Sequence, residues 1–287
     1  MDLIRLNSRA LRFVASFVLL LGITAQHVSA AQALKVLLIT GGCCHDYEGQ
    51  KDILKKGLEA RANVVVSQVH TPDKSTQPPL PILDDPNYAD GFDVVVHDEC
   101  GADISEEAKV RAVLKPHWDG TPGVNLHCAA HSYRIGNPRD PATPGTPHGL
   151  WFEYLGIQSS GHGPHEPVEI QFMNTTHPIT KGFRGWRTSK EELYNNIKIF
   201  DSARPLASGK QKVRRRNGEE RDDKAVVVWT NEYGPKKTKV FTTTLGHYSE
   251  TVRDSRYLDL VTRGLLWATG HLTDDGKPVA GYGPGGR

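Results

Sequence analysis

The sequence is poor in sulfur, with 4 Cys and 2 Met in 287 residues, and it has no excess of one charge, with 35 Lys and Arg against 33 Asp and Glu. The first shortage excludes a dense disulfide framework of the small secreted kind. The second excludes a global basic field, and with it a nucleic-acid partner. Long apolar runs are missing as well, apart from one near the start. There Arg5, Arg9 and Arg12 precede the stretch from Phe13 to Ile23, and Val28-Ser29-Ala30 offers the small-x-small pattern that signal peptidase cuts. The run is shorter than the about 20 apolar residues that a bilayer span needs. Residues 1–30 are therefore expected to be a removed export signal. Its three Arg and one Asp account for the whole formal charge of +2, leaving the mature chain near zero. The expected product is exported, periplasmic or extracellular, with no membrane association once the signal is cut.

What remains has the composition of a folded globular protein: 38% apolar, 24% charged and 8% aromatic. A short apolar run at 34–40 ends in Gly41-Gly42 and reads as a buried strand stopping at a tight turn. An amphipathic helix is expected over 48–61, with Ile53, Leu54 and Leu58 inward, and a β-branched strand over 64–69. Strand, helix and strand at this spacing make a parallel crossover unit. The pattern continues with a strand at 92–97, a helix capped by Ser105 and striped by Ala108, Val110, Val113 and Leu114, and a strand at 123–127 leading into a short helix near 128–134. Segment 70–91 holds five prolines and is expected to carry no regular element. Shorter strands are expected at 167–172, 193–199 and 225–229, a stronger one at 239–245, and a final helix from 254 to 271. The basic run Lys210, Lys212, Arg214, Arg215 and Arg216, followed at once by Glu219, Glu220, Asp222 and Asp223, reads as a solvated loop of mixed charge. One α/β domain over 31–271 is expected, followed by a flexible Gly- and Pro-rich tail over 272–287.

In a parallel α/β sheet, ligands bind beyond the carboxyl ends of the strands, where loops converge and helix N-termini aim free amides at one space. The first strand ends in Cys43, Cys44, His45 and Asp46; the third in His97, Asp98, Glu99 and Cys100; the fourth in His127, Cys128 and His131; and the strand at 239–245 in His247 and Glu250. All four cysteines and five of the twelve histidines beyond residue 30 fall at these ends. That concentration marks a site. Imidazoles and carboxylates suit a divalent metal such as zinc, manganese or iron, and His127 and His131, four apart, can put two imidazoles on one face. A second chemistry is open to Cys128, at a strand-to-helix turn where a thiol becomes a nucleophile. Cys43-Cys44 admits a vicinal disulfide, and inert packing beside the double glycine is the expectation.

The residues Val36-Leu37-Leu38-Ile39-Thr40-Gly41-Gly42-Cys43-Cys44-His45-Asp46-Tyr47, His97-Asp98-Glu99, the segment from Leu126-His127-Cys128 to Tyr133-Arg134, Thr176-His177-Pro178-Ile179, Glu192-Leu193-Tyr194 and Leu245-Gly246-His247 stand in one order over about 34–270. Together they resemble the ThuA-like, or trehalose-utilisation, family. The resemblance implies a flavodoxin-like three-layer sandwich with a mostly parallel central sheet, as in class I glutamine amidotransferases. It also implies carbohydrate catabolism, in which a sugar 3-dehydrogenase makes 3-keto-glycosides and a ThuA-like protein acts on them by hydrolysis, elimination or isomerisation. In that scheme His45, His127 and His247 bind the keto-diol, directly or through a metal, and Glu99 or Glu192 removes a proton. Asp46, His131, Tyr133, Arg134 and Tyr194 are the expected contacts to the sugar. Where amidotransferases carry Gly-x-Cys-x-Gly, this chain reads Asn125-Leu126-His127-Cys128-Ala129. The alternatives are a sugar-binding or scaffold protein without turnover and a cysteine hydrolase using Cys128.

Overall fold

The strand β1, Leu34–Gly42, is apolar on both sides, so it has to be covered on both. Val36 and Leu38 point into one apolar cluster, Leu37 and Ile39 into another. In the computed structural model, which describes residues 31–214 and 218–286, this strand sits near the middle of the parallel half of a nine-stranded sheet. The expected export signal lies outside the described residues.

After β1 come α1 (Tyr47–Glu59), β2 (Val64–Thr71), β3 (Val94–Cys100), α2 (Glu107–Trp118) and β4 (Gly123–Leu126). A 3₁₀ turn, His127–His131, follows β4. Then come α3 (Leu150–Leu155), β5 (Ile157–Gln158), β6 (His162–Glu166), β7 (Val168–Phe172), β8 (Trp186–Arg187), β9 (Glu191–Tyr194) and β10 (Lys198–Ile199). The chain closes with β11 (Arg204–Arg214), β12 (Glu220–Tyr233), β13 (Thr238–Thr243), α4 (Ser249–Val252) and α5 (Ser255–Ala268). The sheet order is β2-β1-β3-β4-β13-β12-β11-β7-β8. Its first five strands are parallel, in the flavodoxin order, so their carboxyl ends share one edge. The last four join antiparallel, which makes the sheet mixed where a mostly parallel one is expected.

Helices α1 and α5 feed one cluster through Leu54, Leu58, Leu258, Val261 and Leu265. The other receives Val110, Val113 and Leu114 from α2 and Trp151 and Tyr154 from α3. Trp151, Tyr154 and Trp186 are buried in these clusters.

Several expected elements differ in detail. Arg215 and Arg216 lie outside the described residues, but the run on either side of them is paired strand: in β11 and β12 Lys212 faces Asp222, and Lys210 contacts the Asp222 carboxylate at 2.7 Å. Opposite charges facing across two strands stabilise a ladder that reads along the chain as a loop. The strand expected at 193–199 is two pieces, β9 and β10, paired to different partners. Helix α2 begins after Glu106, and no side chain caps it, Ser105 included. The tail is tied down through Gly286: Leu272 bridges to Pro278, and the backbone NH of Asn63 donates to the Tyr282 carbonyl at 3.1 Å.

Beneath the sheet edge runs a buried polar chain. The Tyr133 hydroxyl donates to Glu99 Oε1 at 2.7 Å, the same oxygen meets His97 Nδ1 at 2.8 Å, and His97 Nε2 meets His117 Nε2 at 3.0 Å. His117 Nδ1 lies 2.7 Å from the Thr121 carbonyl, which cannot donate, so Nδ1 carries the proton and Nε2 accepts. One proton is then shared between His97 and Glu99. Burial, and then the neighbouring His97 charge, push the His117 imidazole down to about 3 from 6.5. The unfolded chain takes up this proton near its ordinary pKa and the folded chain does not, so acid favours unfolding. Stability is expected to decline as pH falls from about 6.5 towards about 3. Urea melts between about pH 7 and about pH 4 should show this decline, and a shallower one in His117→Gln.

Candidate functional site

The double glycine after β1 lets the strand end press against its neighbours. Gly41 and Gly42 have φ of +127° and +101°, and a Cβ on Gly42 would lie 2.4 Å from the Cys100 carbonyl oxygen. No other residue fits there. The close approach carries Cys43 to Cys100 and delivers His45 over the ends of β4 and β13.

At the end of β4 the chain turns sharply, and His127 takes φ +43°. An L residue there stores about 1–3 kcal/mol, and such a residue at a strand-to-helix turn is where a nucleophile elbow is built. An imidazole occupies the position in this chain. Its Nδ1 lies 2.7 Å from the Thr244 carbonyl, so Nδ1 donates and the Nε2 lone pair faces the site. Beyond β13, Gly246 at φ +121° gives way to His247, whose ring centroid lies 4.7 Å from that of His45 and 5.3 Å from that of His127. The carboxylate of Glu191, fully buried on β9, fixes this bend by accepting from the backbone NH groups of Gly246 and His247, both at 3.1 Å. Gln50 on α1 holds the same bend from the other side, donating to the carbonyls of Gly246 and His247.

Glu192, next on β9, faces the histidines. Its Oε2 lies 3.3 Å from His127 Nε2 and 3.3 Å from His247 Nδ1. Its Oε1 lies 2.7 Å from His165 Nε2 and 3.4 Å from His162 Nδ1. Burial pulls this carboxyl upward, but its contacts with His127 and His247 outweigh it and hold the group well below the usual carboxylate range, so Glu192 is anionic. Burial, with the charges of His127 and His247, pushes His45 down to about 2, so its ring is neutral.

Ligand atoms of His45, His127 and His247 lie within 4.8 Å of one another, as do those of His162, His165 and Glu192. His45 Nδ1 is buried without a hydrogen-bond partner, and His127 presents a lone pair. An unpartnered imidazole nitrogen and an imidazole lone pair beside an anionic carboxylate fit a divalent cation.

Of the residues expected from sequence, His45, His127, His247, Glu192 and Tyr194 come together. The Tyr194 hydroxyl is 3.3 Å from His127 Nε2, and its ring stacks on His131 at 3.9 Å. His131 Nε2 meets Ser159 Oγ at 2.8 Å, and burial pushes its pKa well down. Asp46 stands at the rim, where it caps α1 and accepts from the Ser249 hydroxyl at 2.9 Å. Arg134 is half-buried, with Nε and Nη1 unpartnered. Glu99 and Tyr133 do not join them. Both are sealed in the interior chain described above, so neither is positioned to remove a proton or touch a sugar.

The sulfur expectations are overturned. Cys43 and Cys44 form a vicinal disulfide, and Cys100 and Cys128 form a second. A disulfide sulfur offers no thiolate, so Cys128 cannot act as a hydrolase nucleophile in this state. Four contributors were missed: His162, His165, Glu191 and Lys74. The spacing His162-x-x-His165 was the available signal, obscured by the Gly and Pro around it. Lys74 comes from the proline-rich segment and lines an open depression with Cys44, His45, Asp46, His247 and Tyr248.

The chain matches the family described as ThuA, trehalose utilisation, over residues 35–268. No curated protein matches it. Among solved structures it is similar to a protein from Parabacteroides merdae described as ThuA-like, with a TM-score of 0.58 and 20% identity over 88% of this chain and 97% of that one. A second protein described as ThuA-like, from Bacteroides uniformis, aligns with a TM-score of 0.56 and 16% identity over 84% and 93% of the two chains.

Replacing Glu191 by Gln removes the anion that accepts from the two backbone donors at the Gly246–His247 bend. Hydrogen bonds to a charged group contribute about 1.5–3 kcal/mol, so Glu191→Gln should lower unfolding free energy by about that amount in chemical denaturation.

Proposed function

The chain belongs to the ThuA family of trehalose utilisation, and from that premise we propose that it is an exported enzyme of carbohydrate catabolism acting on 3-keto-glycosides. The observation that carries this reading is the convergence of His45, His127 and His247 on the Glu192 carboxylate at the shared carboxyl edge of the parallel strands. The amidotransferase-like three-layer arrangement belongs to the same reading, supported by one helix pair on each side of the sheet.

A ketone at carbon 3 acidifies the proton on carbon 2, so the glycosidic oxygen on carbon 1 can leave by elimination. The chemistry needs a proton acceptor and a positive or hydrogen-bonding partner for the enolate oxygen. His45, His127 and His247 are the residues that would hold a divalent cation, which when bound polarises a carbonyl as a Lewis acid. Glu192 is held too low to be a strong base by itself. His165 suits the role better: its half-exposed ring is oriented by Glu192 at Nε2, and its Nδ1 lies 2.8 Å from the Tyr248 hydroxyl. Glu192 thus plays the part that a carboxylate plays behind any catalytic imidazole, fixing its tautomer and balancing its charge. Arg134 supplies unpartnered N–H donors for a sugar oxygen. The dehydrogenase that makes the ketone is the expected functional partner.

Purified protein lacking residues 1–30 should turn over 3-keto-trehalose and leave plain trehalose untouched. Metal stripping should abolish the activity and one divalent ion restore it. His165→Ala should lower kcat by about 10²–10⁴-fold, the usual contribution of a positioned acid or base. Absence of turnover before and after metal loading would overturn the substrate assignment and favour a sugar-binding role.

A further inference from the structure

The mechanism above uses none of the four sulfurs, yet they form one contiguous cluster. Cys43 is bonded to Cys44 and Cys100 to Cys128, and across the two pairs Cys43 Sγ lies 3.5 Å from Cys100 Sγ. The cluster is graded in exposure. Cys44 is exposed, whereas Cys43, Cys100 and Cys128 are buried together against Tyr47. Cys44 lines the same open depression as His45 and His247, and it holds φ +82°, a conformation that a non-glycine residue rarely adopts. At the inner end, Cys100 and Cys128 lie with His45 in a group whose ligand atoms are within 4.8 Å of one another.

We propose that these two disulfides are a thiol–disulfide exchange relay that accepts electrons from an external dithiol and passes them inward to Cys128. Only Cys44 is open to an attacking thiolate, and exchange requires access to a disulfide sulfur. The dithiol attacks Cys44 Sγ, the Cys43–Cys44 bond breaks, and its electron pair leaves on Cys43. The Cys43 thiolate attacks Cys100 Sγ at the contact already present. A Cys43–Cys100 bond forms, the Cys100–Cys128 bond breaks, and the electron pair leaves on Cys128. The second thiol of the donor then displaces Cys44 from the mixed disulfide. The donor becomes a disulfide, losing two electrons and two protons, and the chain passes from two disulfides to one with thiols at Cys44 and Cys128. The product places a thiol beside His45, in reach of the histidine site.

The relay can be tested without substrate. Cys44→Ser leaves Cys43 with no partner except Cys100. Alkylation of the folded protein followed by peptide mass mapping should find Cys43 linked to Cys100 and Cys128 alkylated. Cys43 alkylated with Cys100–Cys128 intact would overturn the proposal. In the wild-type protein, one equivalent of dithiothreitol should yield the Cys43–Cys100 link with Cys44 and Cys128 alkylated. Alkylation confined to Cys43 and Cys44 would overturn it, as would four alkylated cysteines before any reductant is added. The wild-type arm stands even where Cys44→Ser fails to fold, and circular dichroism reports which is the case. Neither arm depends on a sugar or a metal, so this relay and the keto-sugar reading fail separately.

Discussion

The carboxylate of Glu192 is the contact on which the site depends. It brings one oxygen to His127 and His247 and the other to His165 and His162. Without an anion at this point, imidazoles so close together could not all be protonated, and burial already forbids a charge on His45. With it, the cluster has one fixed negative charge, neutral lone pairs on the interior side and half-exposed rings on the outer side. That polarity gives the site a closed end suited to a cation and an open end suited to proton transfer. The adjacent Glu191 performs a different task with the same chemistry, anchoring backbone donors so that His247 stays in place.

Much of the parallel half of the fold was legible from local pattern. Short β-branched runs, each followed by a helical stripe, dictate crossover units, and crossovers place strand ends on one edge. For that reason the strand pattern alone groups His45, His127 and His247, and the family motif adds Glu192 and Tyr194. The antiparallel half was less legible. Strand β11 contains Gly209 and sets Lys210, Lys212 and Arg214 in alternation with Gln211 and Val213, so this part lacks an apolar signature, and its partner β12 begins with Glu220, Arg221, Asp222 and Asp223. Their stability as strands comes from each other, a cross-chain property that no single window shows.

The misplaced residues fail for a similar reason. Glu99 ends a strand, as a site residue should, but strand residues alternate faces, and its carboxylate turns inward to Tyr133 and His97. Its neighbour Asp98 is also buried, and burial together with the Glu99 charge raises its carboxyl well above the usual range. The Cys100–Cys128 pairing was unreadable because the neighbouring strands β3 and β4 bring these residues together, not their spacing along the chain.

The bend at Gly246 and His247 is held by Gln50, a hydrogen bond that spans 196 positions in sequence. Its other anchor, Glu191, lies on β9, a short strand paired with β6 outside the nine-stranded sheet, so the bend exists only when that pair has docked. Loops closed over such distances form late, because their entropy is lost before their contacts are gained. Loop-closure entropy therefore predicts that the imidazole cluster assembles late in folding, once both anchors are in place. Such an order would withhold the imidazole surface until the elements around it are in place.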